Sequence, residues 1–332
     1  MEIKQRRKGS MKTRKKMLMV FTGFLLILSS SVIMAASDYP NRPIEIIPPF
    51  GPGSSTDRMT LAIMPFLEKE LGQKILPSYR SGGGGTIGTS WLARAKPDGY
   101  NLLMAPTGVL IIKPLTSNLP YSLKDFIPIA QVGIYQTVLV VRENSPWKTV
   151  KDFLDDSKKN PDKYTFGTSG PFSMGHVAME AVKQSVGIKM KHVPFEGAGK
   201  VMLALLGKQI DLAVTEIRPE FGKDGKTRVL AVVTDRRMPE SPDVPTFKDL
   251  GYDLVLDVWY CLVAPMGTPQ AIVDKLEGVL KKAAANAEFR EAFFKITGAP
   301  YGFMGSKEMT AKWDRELGFI QGVVKKLEIE KK

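Results

Sequence analysis

Residues 44–58 read Ile44-Glu45-Ile46-Ile47-Pro48-Pro49-Phe50-Gly51-Pro52-Gly53-Ser54-Ser55-Thr56-Asp57-Arg58. An apolar run passes through a glycine-containing loop into an amphipathic segment, the pattern of a buried strand, a loop and a helix. Ser54 with Asp57 fits the S-x-x-D form of a capping box, so the helix is expected to start at Ser55 or Thr56. The first N–H groups of a helix have no partner within it. Together with the helix dipole they suit a carboxylate or another anion. Gly51 and Gly53 carry no side chain and would let a ligand approach the backbone closely. An ordinary strand-to-helix turn is the competing reading of this stretch.

The same unit recurs on either side of two long apolar runs. The helix over about 56–71 buries Met59, Ile63, Phe66, Leu67 and Leu71, with Pro65 expected to kink it and Gly72 to end it. Strand 74–79 opens onto Gly82-Gly83-Gly84-Gly85-Thr86, and a helix to about Ala95 follows. Strand 100–104 opens onto Ala105-Pro106-Thr107-Gly108. In an alternating α/β sheet such loops gather at the carboxyl edge, where ligands bind. Ile129–Val141 and Leu254–Ala264 are the long apolar runs and read as crossings between lobes. Between them a helix over 149–160, strand 164–167, helix 174–185, strand 189–194, helix 200–206 and strands 210–214 and 229–234 repeat the pattern. After Gly267-Thr268-Pro269 the chain reads as helical, over about 270–285, 288–297 and 307–326. The expected fold is therefore α/β: two lobes joined by two crossing strands, with a ligand cleft between them. Residues 37–136 form the first lobe, 137–257 the second, and 258–332 return to the first as its helical C-terminal part.

The net charge of +13 over 332 residues is concentrated at the start. Residues 1–36 hold eight basic residues and one acid, leaving a net of +6 on the rest. No basic run interleaved with aromatics remains there, so nucleic acid is not an expected partner. The basic stretch ends at Lys16, an apolar run spans Met17 to Met34, and small residues follow. This is the form of a secretory signal peptide over residues 1–36, cleaved near Ala35 or Ala36. An uncleaved anchor competes with it, because the run is close to the length that spans a membrane. The expected compartment is the periplasm. Cys261 is the only cysteine, so no internal disulfide forms, and its apolar surroundings in 258–264 mark it as a packed core thiol.

Signals for chemistry are weak. Gly83-Gly84-Gly85-Thr86-Ile87-Gly88 matches G-x-G-x-x-G, but a glycine run satisfies that form cheaply, and no acid follows about 20 residues on to hold a ribose. No phosphate-binding P-loop occurs. The two histidines, His176 and His192, are not clustered with other ligands in a metal-binding spacing, and His192 reads as a core residue of a strand. Ser173 and His176 stand three apart at one helix start, poor geometry for a nucleophile and base. No catalytic residue, metal or cofactor is expected.

With these loops in view, the chain resembles the substrate-binding receptors of tripartite tricarboxylate transporters, the Bug receptors, from Tyr39 to about Val324. The motifs that carry the resemblance are Tyr39-Pro40, Pro49-Phe50-Gly51-Pro52-Gly53 with Asp57, Tyr79-Arg80-Ser81-Gly82 into Ile87-Gly88, and Pro97-Asp98-Gly99-Tyr100. Gly167-Thr168-Ser169-Gly170, Val193-Pro194-Phe195-Glu196-Gly197, Gln209-Ile210-Asp211, Pro242-Asp243-Val244-Pro245 and Trp259-Tyr260 follow in order. The resemblance implies a type II periplasmic binding fold, a non-catalytic receptor for a small organic carboxylate, and integral membrane components of a tripartite transporter as partners. A monomer is expected. By resemblance one carboxylate is held at Phe50, Gly51, Gly53, Ser54, Ser55, Thr56 and Asp57 and at Gly83, Gly84, Gly85 and Thr86. Thr107, Thr168, Ser169, Ser173 and His176 would surround the rest, with Phe195, Gly197, Ala198, Glu216 and Trp259. The chain departs from the family pattern at Ser54, where glycine is frequent, and at Lys113, near a common asparagine. It departs again at Glu196, where lysine is common, and at Glu216, where aspartate is. An acid at 196 facing the cleft would repel a second carboxylate, which puts a citrate-like ligand in doubt. An exported α/β enzyme acting on a small carboxylate, and a sensor reporting to a signalling membrane protein, are the alternatives.

Overall fold

Gln136 is where the chain leaves its first sheet. The computed structural model of the protein describes residues 38–195, 197–216, 222, 225–238 and 241–330, the last four by backbone alone. The export segment and Glu196 therefore lie outside the described residues. In chain order the elements are β1 (Ile44–Ile47), α1 (Ser55–Leu71), β2 (Ile75–Pro77), α2 (Thr86–Leu92) and β3 (Asn101–Pro106). A π-helical turn, Gly108–Ile112, then runs into α3 (Lys113–Thr116), followed by β4 (Phe126–Tyr135), β5 (Thr137–Arg142), α4 (Val150–Lys159) and β6 (Thr165–Thr168). Next come α5 (Met174–Val186), β7 (Lys191–Pro194), α6 (Ala198–Leu206), β8 (Leu212–Glu216) and β9 (Thr227–Val232). The chain closes with β10 (Val258–Pro265), α7 (Gln270–Ala285), α8 (Ala287–Thr297), β11 (Tyr301–Gly305) and α9 (Ser306–Glu330).

Among the described residues the strands form a six-stranded sheet, β11-β4-β10-β3-β1-β2, and a five-stranded sheet, β7-β6-β8-β5-β9. β1, β2 and β3 are parallel, as are β6, β7 and β8, so in each sheet three carboxyl ends open on the same edge. The two crossings lie side by side. β4 ends at Tyr135 and β5 begins at Thr137 in the other sheet. On the return, Val233 N–H donates to Thr137 O, Leu256 N–H donates to Val233 O, and β10 pairs with β4 from Val258 onward. Gln136 ties the first crossing to the chain just after β9, its Nε2 donating to Thr234 Oγ1 and Arg236 O.

Local chemistry accounts for most element ends. Ser54 caps α1 with its hydroxyl, and Gly72 ends it in the left-handed region at φ 68°. Thr149 and Asp152 form a reciprocal capping box on α4, and Asn286 caps α8. Gly175 lets α5 lie directly on β8, because a Cβ there would come within 2.3 Å of Val214 O.

Several expectations are corrected. The second crossing is a regular strand only from Val258, since Leu254–Asp257 is irregular chain tied to β9. α2 stops at Leu92 rather than near Ala95. Strands 210–214 and 229–234 lie two residues off, at Leu212–Glu216 and Thr227–Val232. The tail is not wholly helical: β11 was not foreseen, because Tyr-Gly-Phe-Met-Gly has no alternation. It exists through pairing with β4, with a register shift between Tyr301 and Met304. His192 is half-buried on an edge strand rather than a core residue. Cys261 is wholly buried, and burial pushes its thiol far up.

Candidate ligand-binding site

The first loop is braced from within. Ser54 Oγ accepts from Asp57 N–H at 3.2 Å and meets Thr56 Oγ1 at 3.1 Å. Asp57 does not reach back to the Ser54 amide, which donates instead to Gly51 O. Its carboxylate, almost wholly buried, accepts from Gly53 N–H and from the Tyr79 hydroxyl, both at 2.7 Å. That bond holds the Tyr79 phenol above its ordinary pKa. Asp57 thus ties the first loop to the chain between β2 and the second loop. Arg58, one residue on, donates from Nη1 to Gly53 O, and its Nε is buried without a hydrogen-bond partner among the described residues.

The second loop is a left-handed turn that only glycine adopts readily: φ is 59° at Gly83, 65° at Gly84 and 93° at Gly85. A Cβ on Gly85 would fall 2.6 Å from Val109 Cγ1 and 3.0 Å from the Phe50 ring. Glycine there allows Phe50 of the first loop and Val109 of the π-helical turn to close on the second. A Cβ on Gly84 would fall 3.2 Å from the Lys113 ammonium. Thr86 Oγ1 donates to Gly83 O and fastens the turn. So the three loops at the carboxyl ends of β1, β2 and β3 meet around Gly84 and Gly85.

In the second sheet, the loop after β6 is held just as tightly. Thr168 Oγ1 contacts Gly170 O at 3.1 Å and His192 Nε2 at 2.7 Å, and its carbonyl accepts from Phe195 N–H. Phe172 has a left-handed backbone, φ 56°, and donates its N–H to His176 Nδ1 at 3.0 Å. Strain of this kind in a non-glycine residue clusters at ligand sites and switches. The His176 ring is buried and stacks on His192 with centroids 3.8 Å apart. Ser173 caps α5, its Oγ accepting from His176 N–H, so the hydroxyl is not set against the imidazole as a nucleophile would be. Ser169 is exposed at the rim, while Gly197 and Ala198 start α6.

Two expected residues face elsewhere. Thr107 is wholly buried, its hydroxyl exchanging hydrogen bonds with the Trp259 N–H and carbonyl. The Trp259 indole turns to the C-terminal helix, where Nε1 donates to Glu316 Oε2 at 2.6 Å and the ring lies along Trp313. Successive side chains of a strand point to opposite faces. The neighbour Tyr260 accordingly points the other way and packs edge-on to Tyr135. Burial raises the Tyr260 hydroxyl well above its ordinary pKa, and the Glu216 carboxylate adds to this while Ser55 and Arg58 oppose it. Burial raises Tyr135 likewise, with Arg58, Glu216 and Ser55 again among the groups felt. Ser55 and Arg58 from α1 and Glu216 from β8 therefore lie near enough to act on both tyrosines of the crossing strands, of which Tyr135 donates its hydroxyl to Thr297 O. Tyr260 and Arg58, beside the first loop, were not singled out from the sequence. The signal that could have found Tyr260 is its place beside Trp259 in the strand.

Comparison with known proteins agrees with this arrangement. The profile described as tripartite tricarboxylate transporter family receptor matches residues 62–316. A UPF0065 protein of Bordetella pertussis is 30% identical over 274 residues, covering 80% of this chain and 85% of that one. The ligand-free crystal structure of a TctC solute-binding protein from Polaromonas superposes with a TM-score of 0.79 at 30% identity, over 87% of this chain and 99% of that one. MatC of Rhodopseudomonas palustris, solved with bound malate, gives 0.70 at 27% identity over 86% and 100%. A second protein of that organism, solved with adipate, gives 0.71 at 26% over 87% and 98%. The match over most of its length, together with two sheets whose loops converge at two crossing strands, establishes that the chain belongs to the tripartite tricarboxylate transporter receptor family.

Proposed function

We propose that this protein is a periplasmic receptor that takes up a small organic carboxylate between two lobes and delivers it to the integral membrane components of a tripartite transporter. Lobe one is residues 37–136 with 258–332, lobe two is 137–257, and residues 1–36 are an export signal removed near Ala35 or Ala36. The protein acts as a monomer. The observation that carries this reading is that Ser55 and Arg58, in the first turn of α1, and Glu216, at the end of β8 in the other sheet, all act on the Tyr260 hydroxyl at the crossing. A ligand there touches both lobes, which is what couples capture to closure. The first-turn amides of α1, with the half-buried Arg58 side chain beside them, favour an anion. Relatives with bound malate and adipate support a dicarboxylate of that size range. Tyr260, rather than Trp259, is the aromatic contact, and Thr107 and Thr168 position the loops from behind.

The test is a thermal-shift screen of the mature protein against organic acids including malate, succinate and adipate. A ligand that binds only the native state raises the melting temperature by mass action. At least one carboxylate is expected to do so, and its amide to do so far less. A panel in which no carboxylate shifts the transition while another solute class does would replace the reading.

A further inference from the structure

The glycine loop is covered by a lysine. The π-helical turn after β3 places Val109 and Lys113 four residues apart, on one face, against the second loop. Val109 packs on Gly85, and the Lys113 ammonium lies one residue along, 3.2 Å from where a Cβ on Gly84 would stand. Lys113 N–H donates to Gly108 O, which fixes the start of its side chain. The stem is half-buried, yet among the described residues no carboxylate, carbonyl, hydroxyl or ring contacts the ammonium. Other enclosed lysines of the protein do have such partners: Lys312 pairs with Asp257, and Lys183 with Glu180. A lysine that only needed solvent would extend away from the loop. This one lies over the turn where Phe50, Gly84 and Gly85 meet.

We propose that Lys113 is the cationic anchor for a ligand carboxylate at the glycine loop, so that this receptor selects its ligand by charge as well as by backbone amides. The proposal rests on the carboxylate-receptor reading above. It assigns the ligand a fully ionised carboxylate at the Gly84 end of the site, and it makes Lys113 a specificity-determining residue. A charge-assisted bond is short and strong, and it discriminates an anion from its isosteric amide. It also makes binding depend on ionic strength to a degree that amide contacts alone do not.

The experiment is titration calorimetry of the mature protein with malate, succinate, adipate and the monoamide of adipate, at low and high salt. The parent, Lys113→Met and Lys113→Arg are compared. Methionine keeps the apolar stem over Gly84 and removes the charge. The expected result is a loss of about ten- to hundred-fold in affinity for the best-bound dicarboxylate in Lys113→Met. The salt dependence should flatten, the unliganded melting temperature should stay as in the parent, and Lys113→Arg should recover most of the affinity. If the parent binds a dicarboxylate and Lys113→Met binds it equally well with the same salt dependence, the anchor is refuted and the receptor reading stands. If the parent binds none of the four, the dicarboxylate anchor fails, and the organic-acid screen above decides the receptor reading separately.

Discussion

Asp57 is expected from the sequence as a ligand contact, and in the fold its carboxylate braces the first loop. Its position, three after the cap, was readable from the S-x-x-D pattern. Its partners were not, because the Tyr79 hydroxyl lies 22 residues away and reaches it only through the pairing of β1 with β2. Trp259 and Tyr260 carry the same lesson. Their adjacency in an apolar run tells a reader that one faces each side of the sheet. Which side is the cleft depends on where α9 packs, and that is a long-range fact. The pair yields a prediction at this scale. Trp259→Phe removes the donor to Glu316 Oε2 and leaves that buried oxygen without its partner, while Oε1 keeps Lys312. It should lower stability by about 1–3 kcal/mol with little change in ligand affinity. Tyr260→Phe removes a hydroxyl from the space shared with Ser55, Arg58 and Glu216, and should weaken binding with a smaller effect on stability. Urea unfolding and calorimetry on both variants measure this, and the reverse ranking would return Trp259 to the site.

At the scale of elements, α9 is the part of the fold that the sequence concealed most. Its helical character was plain, but its docking was not. Lys312 reaches Asp257, the residue before β10, at 3.0 Å, and Glu316 stands beside both with its carboxyl on the Trp259 indole. The helix therefore clamps the return crossing onto the first sheet through a buried cluster. Burial raises the Glu316 carboxyl from 4.5 to about 7, Lys312 pulling it back and Asp257 adding to the rise. The folded protein thus keeps a proton there that the unfolded chain has already released. That contribution to stability is fully present below about pH 4.5 and is lost as the pH rises through about 7. Glu316→Gln still offers an acceptor to the indole and has no proton to lose. Between about pH 5 and about pH 8 the parent should lose roughly 2 kcal/mol relative to this variant. Urea unfolding of both proteins at the two pH values reads the difference, and parallel pH profiles would show that Glu316 ionises normally in the fold. The small-residue loops at β1 and β2 were legible because each follows a short apolar strand, and the one at β6 because glycine, serine and proline cluster after Phe166. The π-helical turn was not, since Gly108–Ile112 continues an apolar run and its face against Gly85 is set by packing alone.

At the scale of the whole molecule, two crossings and two sheets were readable as two long apolar runs flanked by repeats of one unit. The joint between the sheets is more constrained than those runs suggest. Gln136 ties the first crossing to the chain after β9, and α9 packs on β4 of the first sheet and on α5 beside the second. Gly318 and Gly322, four residues apart, line that helix contact with Ala181 and Ser185 and leave a gap of about 410 Å³. Gln184, Phe319, Val323 and Lys326 line the same groove, so the two helices meet through large as well as small side chains. The central claim is that an organic carboxylate bridges the loops of both sheets in front of Tyr260. A crystal structure of the mature protein with the dicarboxylate that binds most tightly tests it most directly. The account predicts one carboxylate within hydrogen-bonding distance of the α1 first-turn amides and the Lys113 ammonium, with the rest of the ligand reaching the Ser169–Ser173 loop. A ligand seated instead in the charged recess of Asp235, Lys248 and Arg315 beside α9, with the loops around Gly84 untouched, would contradict it.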